Sequence, residues 1–338
     1  MDALDAIATG AIEGLSCQIG CAPYQDKLGI VRTSPALPDT AQRGSPPLQT
    51  QRGRRHTATR WERNALMTVS TAEKRARFRA LHQEGCFVLP NPWDVGSARM
   101  FQHLGFSALA STSSGYAWTT GRPDYAVTRA DALSHLQALS QAVDLPVNAD
   151  FESGFAADPE GVAASVRLAV EAGVAGLSIE DRDLENERLY DAPMALQRLQ
   201  AARRAIDAAG GDTILVARTE GLLIDPSALS PAIDKLVAFA AAGADCLYAP
   251  GVRDKSAIAT MVRAVAPKPL NVLIMDPSVT LAELADLGVR RVSVGGGLAR
   301  VGWAATIAAA KGLREGSFAA LGNGMAGGEL NRIFGAFK

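Results

Sequence analysis

Between Cys86 and Val294 the chain alternates short apolar runs with Ala- and Leu-rich stretches whose apolar positions recur at helical spacing. The runs Cys86–Pro90, Ser107–Ser111, Pro146–Asp150, Gly176–Glu180, Thr213–Arg218, Cys246–Ala249, Leu270–Ile274 and Arg291–Val294 are four to six residues long and predict strands. Pro159–Ala172, Ala192–Ala209, Pro231–Ala242 and Arg300–Arg314 predict helices between and after them. Segments such as Glu171-Ala172-Gly173 and Ala241-Ala242-Gly243 end a helix on glycine and feed the next strand. Eight strand–helix units in the roughly 250 residues typical of the fold predict an α/β protein, a (β/α)8 barrel of the TIM type. An open, doubly wound sheet fits less well, because no Gly-x-Gly-x-x-Gly turn follows the first strand.

Residues 1–66 have no such period. Leu37-Pro38-Asp39, Gly44-Ser45-Pro46-Pro47 and Arg52-Gly53-Arg54-Arg55 supply turn and linker chemistry, which predicts a disordered segment or a gene-model extension. Met67 is a natural start for a catalytic barrel domain at 67–338, with Ser70 or Thr71 capping its first helix. Arginine is frequent from Arg43 to Arg63, yet the acidic start Met1-Asp2-Ala3-Leu4-Asp5 is unlike a targeting peptide.

The net charge of −1 gives no electrostatic footprint for nucleic acid or an anionic membrane. No apolar run is long enough for a transmembrane helix. Small molecules are the expected partners and the cytoplasm the expected setting. Cys86 and Cys246 fall inside apolar runs, where an inert thiol is the default. Cys17 and Cys21 have zinc-like spacing without a second Cys or His pair nearby, which argues against a metal site there.

In a barrel of this type the chemistry is built at the carboxyl ends of the strands. Asp150 and Glu152 end the third strand, two residues apart and so expected on one side; Glu180 ends the fourth. Three converging carboxylates would repel one another without a cation, and oxygen-only ligands suit Mg²⁺ or Mn²⁺ better than zinc. Pairing with Arg182, Arg218 or a helix N-terminus is the alternative. Arg218 and Glu220 end the fifth strand, where a guanidinium oriented by its neighbour would bind a carboxylate and stabilise an oxyanion, unless the two form a purely internal pair. Ser113-Ser114-Gly115-Tyr116 follows the second strand as a small turn whose amides would grip an anionic group. Gly295-Gly296-Gly297 holds phosphate or permits tight packing. The charged, aperiodic stretch Asp181–Asp191 is expected to be a mobile lid.

Together, Asn91-Pro92-Trp93-Asp94, Ser114-Gly115-Tyr116, Gly121-Arg122-Pro123-Asp124, Asp150-Phe151-Glu152-Ser153-Gly154-Phe155, Ile179-Glu180-Asp181 and Ala217-Arg218-Thr219-Glu220 resemble the isocitrate lyase / phosphoenolpyruvate mutase superfamily over most of residues 72–325. The resemblance implies Mg²⁺ held by Asp150, Glu152 and Glu180, directly or through water, with Asp124 nearby. It implies Ser114, Gly115 and Tyr116 on the substrate's carboxyl end, Arg218 as substrate-binding arginine, and Asn186 at the position of a mutase lid asparagine. It further implies a last helix exchanged between subunits of a dimer or tetramer. The lyase lid's Lys-Lys/Arg-Cys-Gly-His motif is replaced by Asp183-Leu184-Glu185-Asn186-Glu187-Arg188. The expected activity is therefore a Mg²⁺-dependent carbon–carbon lyase acting on a small 2-oxo or hydroxy acid through a pyruvate-like enolate. C–P bond chemistry and a non-catalytic metabolite-binding barrel are the alternatives.

Every candidate residue lies downstream of Met67. A chain starting there should keep barrel, oligomeric state and metal-dependent behaviour, checked by circular dichroism, light scattering and calorimetric Mg²⁺ titration; aggregation or lost Mg²⁺ binding would place the boundary elsewhere.

Overall fold

The computed structural model describes residues 69–337; the expectations for residues 1–66, Cys17 and Cys21 included, lie outside them. Eight strands form one all-parallel sheet: β1 (Phe87–Leu89), β2 (Leu109–Ala110), β3 (Val147–Asp150), β4 (Gly176–Glu180), β7 (Ile214–Arg218), β8 (Cys246–Tyr248), β9 (Leu270–Leu273) and β10 (Arg291–Ser293). Their order is β1-β10-β9-β8-β7-β4-β3-β2. The ends of that order meet, because Ala110 N donates to Pro90 O at 3.2 Å and Asn91 Nδ2 to Ser111 O at 3.0 Å, closing the barrel. The TIM-type expectation is met, with all eight predicted runs appearing as strands.

Helices α1 (Thr71–Leu81), α2 (Val95–His103), α3 (Ser113–Thr119), α4 (Arg129–Ala142), α5 (Pro159–Glu171), α6 (Ala192–Ala208), α7 (Gly221–Ile224), α8 (Leu229–Ala241), α9 (Lys255–Val265), α10 (Leu281–Asp286), α11 (Gly297–Arg314) and α12 (Gly327–Phe334) accompany the sheet among the described residues. Ser70 and Glu73 make a reciprocal capping box at α1, and Asp158, followed by Pro159, caps α5. These caps satisfy amide groups that would otherwise be left open where each loop turns into its helix.

One apolar layer lies between sheet and helices, built on Phe151, Val166, Leu177, Leu199, Ile206, Leu215 and Leu236. A second fills the barrel interior, where Phe78 of α1 packs with Leu89, Ala175, Ile214, Val216 and Tyr248. Phe78 is fully buried, and burial of such a side chain contributes roughly 1.5–3 kcal/mol. Two cations fasten α1 across the amino ends of the strands. Lys74 Nζ donates to the carbonyls of Ser140 and Val143 at 2.8 and 2.6 Å, and Arg75 to those of Val170 and Val174 at 2.8 and 3.1 Å. They neutralise the negative carboxyl ends of α4 and α5.

The segment expected to be an irregular lid contains an antiparallel hairpin, β5 (Arg182–Asp183) with β6 (Arg188–Leu189). The turn expected at Ser113–Tyr116 is the short helix α3. The last barrel helix, α11, stands largely in solvent and exposes Val301, Trp303, Ile307 and Leu313.

Candidate active site

At the carboxyl end of the barrel, a polar cavity of about 150 Å³ is lined by Ser113, Ser114, Asp124, Tyr125, Asp150 and Arg218 at its mouth and by Asn148, Asn271 and Arg291 deeper in. That volume is well below the roughly 300–1,000 Å³ of a drug-sized pocket. A small acid fits; a large cofactor does not.

Arg218 organises the mouth. Its Nε lies 2.5 Å from Glu220 Oε1 and 3.3 Å from Glu180 Oε2, and its Nη1 lies 3.2 Å from Asp150 Oδ1. The register of β4 with β7 pairs Glu180 directly with Arg218, which is why two strand ends place acid and guanidinium side by side. Asp150 also accepts from Ser113 N and Ser113 Oγ at 3.0 and 2.8 Å. One face of the guanidinium looks onto the Tyr248 ring, 5.2 Å from its centroid. The internal Arg–Glu pair is present, and Arg218 is at the same time part of the cavity wall.

Glu152 comes to the acids by a different route from simple strand alternation. β3 ends at Asp150, and Glu152 sits at φ 48°, followed by Gly154 at 82° and Phe155 at 55°. This left-handed run turns Glu152 inward, where it is 3% exposed. Arg198 of α6 clamps the run: Nη2 donates to Ser153 O, and Nη1 to Ala157 O and, at 2.6 Å, to Ala156 O. The Arg198 guanidinium lies 4.1 Å from the centroid of Tyr190, the residue that follows β6. One buried arginine therefore ties the hairpin to the loop that aims Glu152. Asp181 does comparable work behind Glu220, accepting from Glu220 N, Thr219 Oγ1 and Lys235 Nζ at 2.9, 2.8 and 2.6 Å.

Among the described residues no three His, Cys, Asp or Glu side chains already stand at ligating distance of a common point; the Arg218 guanidinium lies among the acids instead. The donor set nonetheless fits a hard divalent cation. Glu152 Oε1 and Glu180 Oε1 are buried with no hydrogen-bond partner, oxygen atoms of the kind Mg²⁺ or Mn²⁺ takes. Burial, then Asp150 and Asp124, pushes Glu152 up to about 8. Burial likewise lifts Glu180 well above the usual carboxylate range, with Glu220, Asp150 and Glu152 adding to it and Arg218 opposing it. Asp124 stands at the rim, open to solvent outside while its carboxylate lines the cavity; desolvation and Asp150 raise it too. One guanidinium does not balance this much negative charge.

Of the other sequence candidates, Ser114 lines the cavity, with its Oγ 3.1 Å from Thr112 Oγ1. Gly115 and Tyr116 do not line it. The Gly115 amide donates to Thr112 Oγ1 at 3.2 Å, and Tyr116 stacks on His135 with centroids 3.9 Å apart. Asn186 sits in the hairpin turn with its Nδ2 on Asp183 at 2.9 Å. At Gly296 an added Cβ would meet Ser114 Oγ at 2.9 Å and the Trp118 ring at 3.0 Å, so tight packing accounts for that glycine. Sequence reasoning missed Tyr125, whose phenol lines the cavity from a left-handed backbone, φ 62°; burial and the nearby Glu180 and Glu220 hold its proton firmly. Its place next to Asp124 was the available signal, but positive φ in a tyrosine has no mark in sequence.

The family described as phosphoenolpyruvate phosphomutase matches residues 78–314. A Burkholderia cenocepacia crystal structure with a provisional lyase/mutase label is 43% identical, with TM-score 0.75 over 78% of this chain and 96% of that one. Oxaloacetate acetylhydrolase with its product oxalate is 27% identical, with TM-score 0.70 over 79% and 95%. An oxaloacetate decarboxylase of Rhodopseudomonas palustris is 29% identical over 66% of this chain and 77% of its own length.

The raised Glu152 sets a pH dependence. Its folded value, about 8, exceeds the ordinary 4.5, so the native state holds a proton that the unfolded chain has lost between those values. Its contribution to stability is complete below about pH 4.5 and is lost as pH rises through 8. In chelator, the melting temperature of Glu152→Gln relative to the parent should climb from pH 5 to pH 8; a constant difference would contradict the assignment.

Proposed function

Because the chain belongs to the phosphoenolpyruvate phosphomutase family, whose relatives include oxaloacetate decarboxylase and 2-methylisocitrate lyase, we propose that it is a Mg²⁺-dependent carbon–carbon lyase acting on a small 2-oxo or hydroxy acid of the oxaloacetate type. The observation that carries this reading is the pair of orphaned buried oxygens, Glu152 Oε1 and Glu180 Oε1, beside Arg218 at the mouth of a cavity sized for a few-carbon acid. Asp150, Glu152 and Glu180 are the proposed ligands, with Asp124 at the rim. Bound there, Mg²⁺ supplies Lewis-acid polarisation of the 2-oxo group and charge stabilisation of a pyruvate-like enolate.

The chain's own groups divide the remaining work. Arg218, oriented by Glu220, turns its Nη edge to the oxyanion side of the substrate. Ser113 holds Asp150 in position through two hydrogen bonds, and Ser114 offers a hydroxyl to the substrate's carboxylate. The lid position that carries a thiol in the lyases is Asp, Asn and Glu chemistry in this chain. Tyr125 keeps its phenolic O–H at the cavity wall, where it offers the substrate a hydrogen bond rather than a proton. Asn186 contributes through the hairpin, by way of Asp183.

The test is turnover of a panel of C4–C6 2-oxo and hydroxy acids, oxaloacetate included, followed by release of pyruvate, glyoxylate, oxalate or CO₂. Arg218→Met should lower kcat/KM by about 10²–10³, the usual size of losing one oxyanion donor. No turnover of any of these acids with Mg²⁺ or Mn²⁺ present sinks the reading, and conversion of phosphonopyruvate in the phosphorus NMR spectrum would replace it with C–P chemistry.

The exposed apolar face of α11 supports a dimer or a tetramer in which this helix packs on a neighbouring copy. Val301 is 66%, Trp303 44% and Ile307 50% exposed, a denser apolar patch than a lone monomer usually leaves in water. Trp303→Glu combined with Ile307→Glu should reduce the mass measured by light scattering to that of one chain. A monomeric parent protein would refute the assembly.

A further inference from the structure

Below the acids, the barrel interior contains a charge with no counter-charge. Arg291, the first residue of β10, is 3% exposed and reaches across the barrel. Its Nε donates to Asn271 Oδ1 at 3.0 Å and its Nη1 to Asn148 Oδ1 at 3.3 Å, with His82 Nε2 at 3.5 Å. All three partners are uncharged. His82 Nδ1 is 2.7 Å from Phe78 O and donates to it, so Nε2 keeps its lone pair towards Arg291; burial and Arg291 itself hold the imidazole neutral, down to about 3. Arg291 makes none of the ion pairs found among the described residues, and no carboxylate is among the groups that perturb it.

The other buried cations of the fold are compensated. Arg218 has three acids, Arg75 has Asp212 and two helix-end carbonyls, Lys74 has two carbonyls with Asp144 nearby, and Arg198 has three loop carbonyls with Asp158 and Asp183 nearby. Leaving a guanidinium buried without a counter-charge costs several kcal/mol. Arg291 also lines the cavity, and the contacts that hold it run from Nε and Nη1. Asn148 and Asp150 are two residues apart on β3 and both line the same cavity, so floor and acid cluster are separated by about 6.6 Å of strand rise. A four-carbon diacid spans that separation.

We infer that Arg291, with Asn148 and Asn271, is a second anion subsite at the cavity floor, and that the protein therefore selects dianionic over monoanionic acids of equal length. This inference rests on the proposed reading that one end of the acid is held at the Asp150–Glu180–Arg218 cluster. The second carboxylate then supplies the counter-charge that the fold withholds from Arg291, accepting from Nη2 and from the neighbouring amide groups.

The experiment is calorimetric binding, with Mg²⁺ present, of malate and 2-hydroxybutyrate, two four-carbon hydroxy acids that differ by one carboxylate. Malate should bind at least tenfold tighter to the parent protein. In Arg291→Met that ratio should collapse towards one, and Arg291→Lys should restore part of it; a merely structural defect would weaken both ligands alike and leave the ratio unchanged. Equal affinities in the parent protein overturn the inference without needing a variant that folds, and so does an unchanged ratio in folded Arg291→Met. Oxalate, too short to reach the floor, serves as control on the parent protein. Oxalate binding without malate preference removes the floor subsite alone, whereas no Mg²⁺-dependent binding of oxalate removes the underlying reading, and the inference with it.

Discussion

Four carboxylates gathered about one guanidinium set the terms for the carboxyl end of this barrel. Arg218 contacts Asp150, Glu180 and Glu220, and Glu152 lies beside them with one oxygen unmatched. Such a group of like charges is stable in low dielectric only if protons, donors or cations balance it. Much of the surrounding architecture does that balancing. Ser113 donates twice to Asp150, the β4–β7 register brings Glu180 against Arg218, and Asp181 with Lys235 holds the Thr219-Glu220 backbone from behind.

The clustered acids also need a loop of unusual shape. Three residues after β3 have positive φ, two of them not glycine, and such backbone persists only where contacts over-determine it. Arg198 provides those contacts by satisfying the loop carbonyls of Ser153, Ala156 and Ala157 and stacking on Tyr190. The hairpin and the acid-bearing loop are therefore parts of one packed unit, and a side chain on the outer helical ring determines how Glu152 is aimed.

The two ends of the cavity have opposite electrostatic character. The mouth holds excess negative charge around Arg218, while the floor holds Arg291 among neutral amides and a neutral imidazole. An acid chelated through a cation at the mouth and neutralising a cation at the floor would lie along the barrel axis. That polarity distinguishes this cavity from a simple gap between strand ends.

The periodicity of the chain was sufficient for the barrel, because eight apolar runs separated by helical stretches have few other ways to bury their surfaces. Strand-end position was likewise sufficient to nominate Asp150, Glu180, Arg218 and Glu220, since parallel strands all present their carboxyl ends to one face. Glu152 was nominated by a strand alternation that stops at Asp150; the actual cause is a left-handed turn. Gly115 and Tyr116 belonged to an expected turn, but the Thr112 cap folded them into α3, directing the Gly115 amide to Thr112 and Tyr116 to His135. Arg198 and Arg291 carry no local signal, and Tyr125 only its place beside Asp124, because their roles come from partners as far away as Asn148, 143 positions from Arg291. Local sequence thus determined the elements and the face on which chemistry is built. Which charges go unpaired depends on contacts across the closed barrel, and only the tertiary structure decided that.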